Sequence, residues 1–505
     1  MRFMIAWAGV LGVVSISAGA ASPLSDCESN NPLIAQQGCT AILAAGQEMQ
    51  SLDFEAYHNR ALALLRLGRP QAALQDALAG IALNPENGPI HLAAAKAYIA
   101  LNQMDNAEAA IQQAQHLSPN IPGAYVLQGE MQLASGNPKA DFASLAQALA
   151  LDPNDAEAYV ARAIASMQSG QSQAAAMDAT KAAALGSTDP RVHLVLGFAA
   201  AEANNGPEAV LEDTQYLAAV PDNPLVLAAL SQAQLALGHS QAALAAINQA
   251  IAHAPSVPEF YLQRAQIEDV LNQFGDEIAD LTTVIESSSG AKDQFYRARL
   301  LRANAEQQAK QPDAAMADVN AAIKLEPDAA QAYAAQAVLE RLAGHAQLAI
   351  ADDNEAITRD KTYIPAYEDQ AVAYSLLHNY AAAAQDESSV LQLQPSSAPD
   401  LNNRCWFLAL DGKLPQAEAD CLHALKISPH DPSTLDSTGY VYLRLKQYQK
   451  AIEFTTRALA QDPHLATSLY GRALAEQALG QDKQAASDIA LAKHYDPKIE
   501  QDFGH

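Results

Sequence analysis

The sequence predicts an all-α solenoid, a stack of helix hairpins rather than a string of globular domains. A 34-residue period runs from Phe54 to Ile499 with one interruption. At the eighth position of each unit stands only Ala, Gly, Ser231 or Cys405, and at the twentieth only Ala, apart from Asp141 and Glu277. The composition agrees: alanine dominates, aromatics are 6%, and the alternating pattern of half-buried strands is scarce. Short side chains belong where two helices approach closely. One hairpin cannot bury its own apolar face, so each unit needs a copy on either side.

In chain order, residues 1–20 read as a signal peptide. Arg2 precedes an apolar run from Phe3 to Val14, too short to span a bilayer, and small residues put cleavage near 20–22. Asp26 before Cys27 does not fit the small residue that precedes a lipidated cysteine. Residues 21–53 form a capping segment in which Pro32 to Ala45 is a short helix, and Asp53 starts the helix after it. Units one to seven occupy 54–291 and begin at Phe54, Gly88, Pro122, Ala156, Pro190, Pro224 and Pro258. Residues 292–295 are an insertion, read as a loop or kink that divides the array into two arms. Units eight to thirteen occupy 296–499 and begin at Tyr296, Ala330, Ile364, Ala398, Pro432 and Ala466, before a tail at 500–505. A proline closes ten of the thirteen units, which stops the second helix at one place each time.

The unit Ala398–Asp431 is the template: two amphipathic helices, a turn at Gly412, and small residues at Cys405, Ala417 and Ala424. The first unit reads Tyr57, Ala61, Leu64, Gly68, Ala73, Gly80, Pro85, and the twelfth Leu435, Gly439, Tyr442, Tyr448, Ala451, Ala458, Pro463. This pattern resembles the tetratricopeptide repeat over about nine-tenths of the chain. The resemblance implies a right-handed superhelix whose first helices line a concave face that binds protein or peptide partners. The segments Asn403-Arg404-Cys405-Trp406, Asp420-Cys421 and Ser468-Leu469-Tyr470-Gly471-Arg472 are similar to those of exported repeat proteins of alphaproteobacteria, which implies export and the same fold.

Arginine at position 7 recurs with aspartate at position 23: Arg60 with Asp76, Arg162 with Asp178, Arg264 with Asp280, Arg302 with Asp318, Arg404 with Asp420 and Arg472 with Asp488. Both positions are equally far from the turn at position 15, so an antiparallel hairpin sets them at one height. The expected role is a structural ion pair, since catalysis would need the same site six times. Gln336 with Asp352 and Gln370 with Asp386 read as weaker versions. Cys405 and Cys421 hold the neighbouring positions 8 and 24. In an oxidising compartment the local pairs Cys27–Cys39 and Cys405–Cys421 are the expected disulfides, with buried thiols as the alternative for the second; the other connectivities would join the ends of a solenoid.

No glycine-rich phosphate loop, metalloprotease helix, nucleophile elbow or zinc ribbon occurs, so neither catalysis nor a cofactor is expected. Asp502-Phe503-Gly504 has the order of a kinase triplet, but nothing upstream resembles a kinase, and it reads as coincidence in a tail. A formal charge of -27 disfavours nucleic acid and anionic membranes as partners. The family geometry places positions 2, 5, 9, 12 and 13 on the concave face. Most are bland, such as Leu62, Ile164, Val338 and Val372; Phe198 adds one aromatic. The carboxyl end differs, with Asn402, Trp406, Asp436, Tyr440, Arg444 and Tyr470, residue types enriched at binding hot spots. The carboxylate-clamp pattern of chaperone-tail adaptors is absent. The expectation is a non-catalytic, periplasmic or secreted scaffold or adaptor, with an accessory role in envelope or exopolysaccharide assembly as the alternative. The oligomeric state is not legible.

Overall fold

The computed structural model describes residues 22–135, 138–287 and 291–503. The leader expected at 1–20, most of its cleavage region and the last two residues of the tail lie outside them. Among the described residues every regular element is a helix. They group into two compact units, one ending at His253 and one beginning at Ala254. The first holds the cap and repeats one to six, the second repeats seven to thirteen and the tail.

The cap consists of helices Pro23–Cys27 and Pro32–Ala44, joined by the Cys27–Cys39 disulfide. Gly38 permits the approach: a Cβ there would lie 2.4 Å from the Cys27 nitrogen. Cys27, Cys39 and Ile42 bury themselves against Ala56, the start of the first repeat, so the cap covers a face that has no preceding copy.

Each repeat is an antiparallel hairpin of helices 12 to 14 residues long, except where 17 residues, Lys292–Gln308, form the first helix of the eighth. Residues 292–295 are therefore neither a loop nor a kink. The segment contains no Gly or Pro, and four residues make about one turn, so the helix grows backward and keeps its apolar face in phase. Five first helices start on side-chain caps: Asn87, Asp155, Asn223, Ser397 and Asp431 accept from amides two or three residues on. The turn at position 15 is left-handed in every described case. Glycine fills it in six units, and Asn102, Asn204, Asn272, Lys310, His378 and Lys446 accept a φ of 55–61° in the others. The hydroxyls of Tyr125, Tyr159, Tyr261 and Tyr333 donate to the carbonyl of the proline six residues earlier, tying each hairpin to the loop before it.

Position 8 meets position 24 across each hairpin. A Cβ on Gly439 would come within 2.5 Å of Thr455, on Gly129 within 2.7 Å of Leu145, and on Gly197 within 2.5 Å of Asp213. At the same two positions of the eleventh unit the Cys405 and Cys421 sulfurs are bonded, with their Cα atoms 5.4 Å apart. One step outward, all six Arg–Asp pairs are bidentate, Nε and Nη2 each donating to one carboxylate oxygen at 2.5–3.0 Å. The Arg60, Arg162 and Arg264 guanidinium groups also lie 5.4–5.7 Å from the ring centroids of Tyr57, Tyr159 and Tyr261. The two glutamine variants depart from this scheme. Gln370 donates to the Ile350 carbonyl instead, and an oxygen of Asp386 is left without a partner. A neutral amide lacks the charge and the fork that hold a carboxylate.

The Asp76 side chain is 9% exposed and that of Arg60 21%, so Arg60→Met strands a carboxylate in the seam. The expected cost is about 3 kcal/mol, read as faster amide exchange across Pro70–Leu83. Adding Asp76→Leu recovers much of it. Unchanged exchange in the single variant would reduce these pairs to the weight of surface ion pairs.

Candidate functional site

The six groove residues lie on the first helices of the last three repeats, Ala398–Leu410, Pro432–Arg444 and Ala466–Ala478. Neighbouring first helices touch one another as well as their own second helices. Asn402 and Trp406 are four residues apart, as are Asp436, Tyr440 and Arg444, so each set lines one helical face.

Four of the six, Trp406, Tyr440, Arg444 and Tyr470, are brought into a connected set. The Trp406 and Tyr440 rings have centroids 4.8 Å apart. Arg444 donates through Nη1 to the Tyr440 hydroxyl at 2.6 Å. Asp436 accepts from the hydroxyls of Thr467, at 2.7 Å, and Ser468, which join the twelfth repeat to the thirteenth. Desolvation raises the Asp436 pKa although both hydroxyls oppose it. Tyr470 joins the set through a residue of the tail: Phe503 stands edge-on to Tyr470, centroids 5.0 Å apart, and to Tyr440, 5.5 Å apart. Asn402 stands by itself, half-buried, with its Oδ1 enclosed and without a hydrogen-bond partner. Tyr440 is buried at 4% exposure, whereas Trp406, Arg444 and Tyr470 stay partly open. Phe198 and Val372, elsewhere on first helices, are exposed.

Phe503 is the site residue that sequence reasoning missed. A short tail after the last repeat carries no periodic signal, and its only cue was an aromatic in an otherwise polar stretch.

A second feature without a sequence cue is a buried acidic seam in repeats nine to eleven. Asp353 is fully buried at position 24, neither carboxylate oxygen has a hydrogen-bond partner, and desolvation together with Asp369 and Asp352 pushes its pKa up to about 9. Glu387, at the same position one repeat later, is raised to about 8 and Asp386 to about 7, burial being the main cause in both. Arg341 pairs with Asp369 at 2.6 Å and is the cation that opposes these charges around Asp353. At 0% and 2% exposure Asp353 and Glu387 are out of a substrate's reach, so their perturbation belongs to the fold rather than to acid–base chemistry. A cavity of about 410 Å³ lies in the other compact unit, lined by Met104, Ile111, Met131 and Glu108 among others.

Residues 54–87, 92–156 and 228–292 match family models described as tetratricopeptide repeat. No curated protein matches the chain. Among solved structures, the chain is similar to PilF of Pseudomonas aeruginosa at 19% identity, covering 41% of this chain and 94% of that one with a TM-score of 0.36. A tetratricopeptide repeat protein of Parabacteroides merdae is 14% identical over 48% of this chain and 96% of that one, with a TM-score of 0.40. A chain of the Cut9–Hcn1 hetero-tetramer of the APC/C is 12% identical over 91% of this chain and 95% of that one, with a TM-score of 0.39.

The seam makes a signed prediction. A carboxyl with a native pKa of about 9 for Asp353 holds its proton when folded and loses it when unfolded over the range between its ordinary value and 9. The unfolded chain then binds fewer protons, so stability falls as pH rises through that window. The second compact unit is expected to melt at a lower temperature at pH 8 than at pH 5. Asp353→Asn should raise the pH 8 midpoint and narrow the gap. A wild-type midpoint that rises with pH would contradict this assignment.

Proposed function

Given that the chain is a tetratricopeptide-repeat protein, we propose that it is a non-catalytic scaffold of the periplasm that binds a protein or peptide partner on the first-helix face of repeats eleven to thirteen. The observation that carries the reading is the aromatic run Trp406, Tyr440 and Tyr470 with Arg444 beside it, on the first helices of three consecutive repeats. Large rings and a guanidinium supply much contact area for little lost side-chain freedom, which is what an interface hot spot needs. Asn402, with an unused acceptor one turn from Trp406, adds a directional contact to the same face.

The address rests on redox chemistry. All four cysteines are in disulfides, one in the cap and one across a hairpin, and such bonds persist in oxidising compartments. Among the described residues no helix is long and apolar enough to cross a membrane.

The test is photo-cross-linking in the intact envelope from a reactive residue placed at Asn402. The expected result is one specific cross-linked protein that disappears in Trp406→Ala/Arg444→Ala while the helical circular dichroism stays unchanged. A cross-link that survives both substitutions would remove the groove from the assigned surface.

A further inference from the structure

The tail does two separate things. Ile499, 2% exposed, is set among Leu459, Leu469 and Ala492 and closes the apolar end of the last repeat. That contact completes the cap that a terminal repeat requires. Phe503 lies beyond it, one turn later; it packs at the rim of that cluster, and its ring also enters the first-helix face between Tyr440 and Tyr470. Gly471 leaves the room, since a Cβ there would already lie 3.3 Å from the Phe503 Cζ. Between the two contacts the tail is held by a four-residue helix, Ile499–Asp502, and by an ion pair of Glu500 with Lys493 whose side chains are about half exposed. Such a pair is weak.

We infer that the space bounded by Tyr440, Tyr470 and Gly471 is a recognition slot for one aromatic side chain of a partner peptide, and that Phe503 is its resident, displaceable occupant. The chain's own tail states the chemistry that fits: an aromatic ring at the end of a short helical segment, met edge-on by two tyrosines, the arrangement that ring quadrupoles favour. A partner presenting such a ring competes with Phe503, and Ile499 keeps the end of the array closed while it does so. Tethering sets the strength of the competition. A segment linked in cis acts at an effective concentration on the order of mM, and affinity in trans falls by the fraction of chains whose slot is open.

The inference rests on reading this face as a partner surface, and its test does not require that partner. The probe is a fluorescent synthetic peptide of the chain's own residues 497–505, titrated into full-length wild-type protein and Phe503→Ala. The variant is expected to bind it about ten-fold or more tightly than wild type. A probe with alanine in place of its phenylalanine, or a chain carrying both Phe503→Ala and Gly471→Val, should lose that gain. In wild type, a large excess of the probe should speed amide exchange at Phe503 while the exchange of helix Ala466–Ala478 stays fixed. Equal binding to wild type and Phe503→Ala, or equal binding of the two probes, overturns the slot. An envelope cross-link that survives Trp406→Ala/Arg444→Ala, with the slot intact, would instead overturn the choice of partner surface at Trp406 and Arg444.

Discussion

The structure depends on how closely two helices approach inside each hairpin. Positions 8 and 24 face one another there, and the pair has little room: where position 24 is Leu145, Asp213 or Thr455, position 8 is glycine, because a single methyl group would collide. Forcing extra volume into such a contact costs about 1–3 kcal/mol. In a repeat array the cost is not confined to one hairpin, since each interface is shared with the next. The Arg–Asp fork one step outward follows from the same register, because it needs the helices at a fixed height and spacing to accept two parallel hydrogen bonds. The tight contact comes first, and the ion pair, the tyrosine over it and the disulfide of the eleventh unit are variations that the spacing permits.

That hierarchy explains what was legible in the sequence. Small residues at a fixed beat are forced by sterics and cannot be replaced silently, so positions 8 and 20 reveal helix pairing without any coordinates. The arginines and aspartates sixteen residues apart reveal the register for the same reason. The insertion at 292–295 misled, because four extra residues look like an interruption when counted linearly but amount to one helical turn in space. Gln370 misled as well: it occupies the arginine's position, yet an amide satisfies itself on the Ile350 carbonyl. Phe503 lay outside the period altogether, so periodicity had nothing to say about it.

The acidic seam shows what happens when the scheme is broken. At position 24 ten of the thirteen units carry a neutral residue, alanine, leucine, isoleucine, valine, cysteine or threonine; Asp213, Asp353 and Glu387 are the exceptions. The hydroxyl of Thr455 is satisfied by the Ala451 carbonyl at 2.7 Å. Both oxygens of Asp353 and one of Glu387 lack a partner, and their own repeats supply Gln336 and Gln370 where an arginine would have stood. Burial is the main effect on these carboxyls, opposed for Asp353 by Arg341 and for Glu387 by Asn403, and protonation lowers the cost of enclosing them. Repeats nine and ten, which lack the Arg–Asp fork, consequently carry a dependence on proton concentration through Asp353, Asp386 and Glu387, although all the hairpins share one backbone plan.

A solenoid has two ends that no neighbour covers, and this chain closes them differently. At the amino end a disulfide-linked helix pair brings Ile42 and Cys39 onto the first repeat, and the closure is covalent. At the carboxyl end the anchor is Ile499 with Phe503 packed beside it, on a segment only a few residues long. The stronger closure lies beside a first helix with no aromatic run, the lighter one beside Trp406, Tyr440 and Tyr470. Ile499 is the fully buried residue of that end, and the half-buried Phe503, besides packing at the rim of the same cluster, carries an aromatic ring into the groove. The extra turn makes sense if the closed end and the binding face are adjacent surfaces with separate tasks, the first requiring permanence and the second requiring that its occupant can leave.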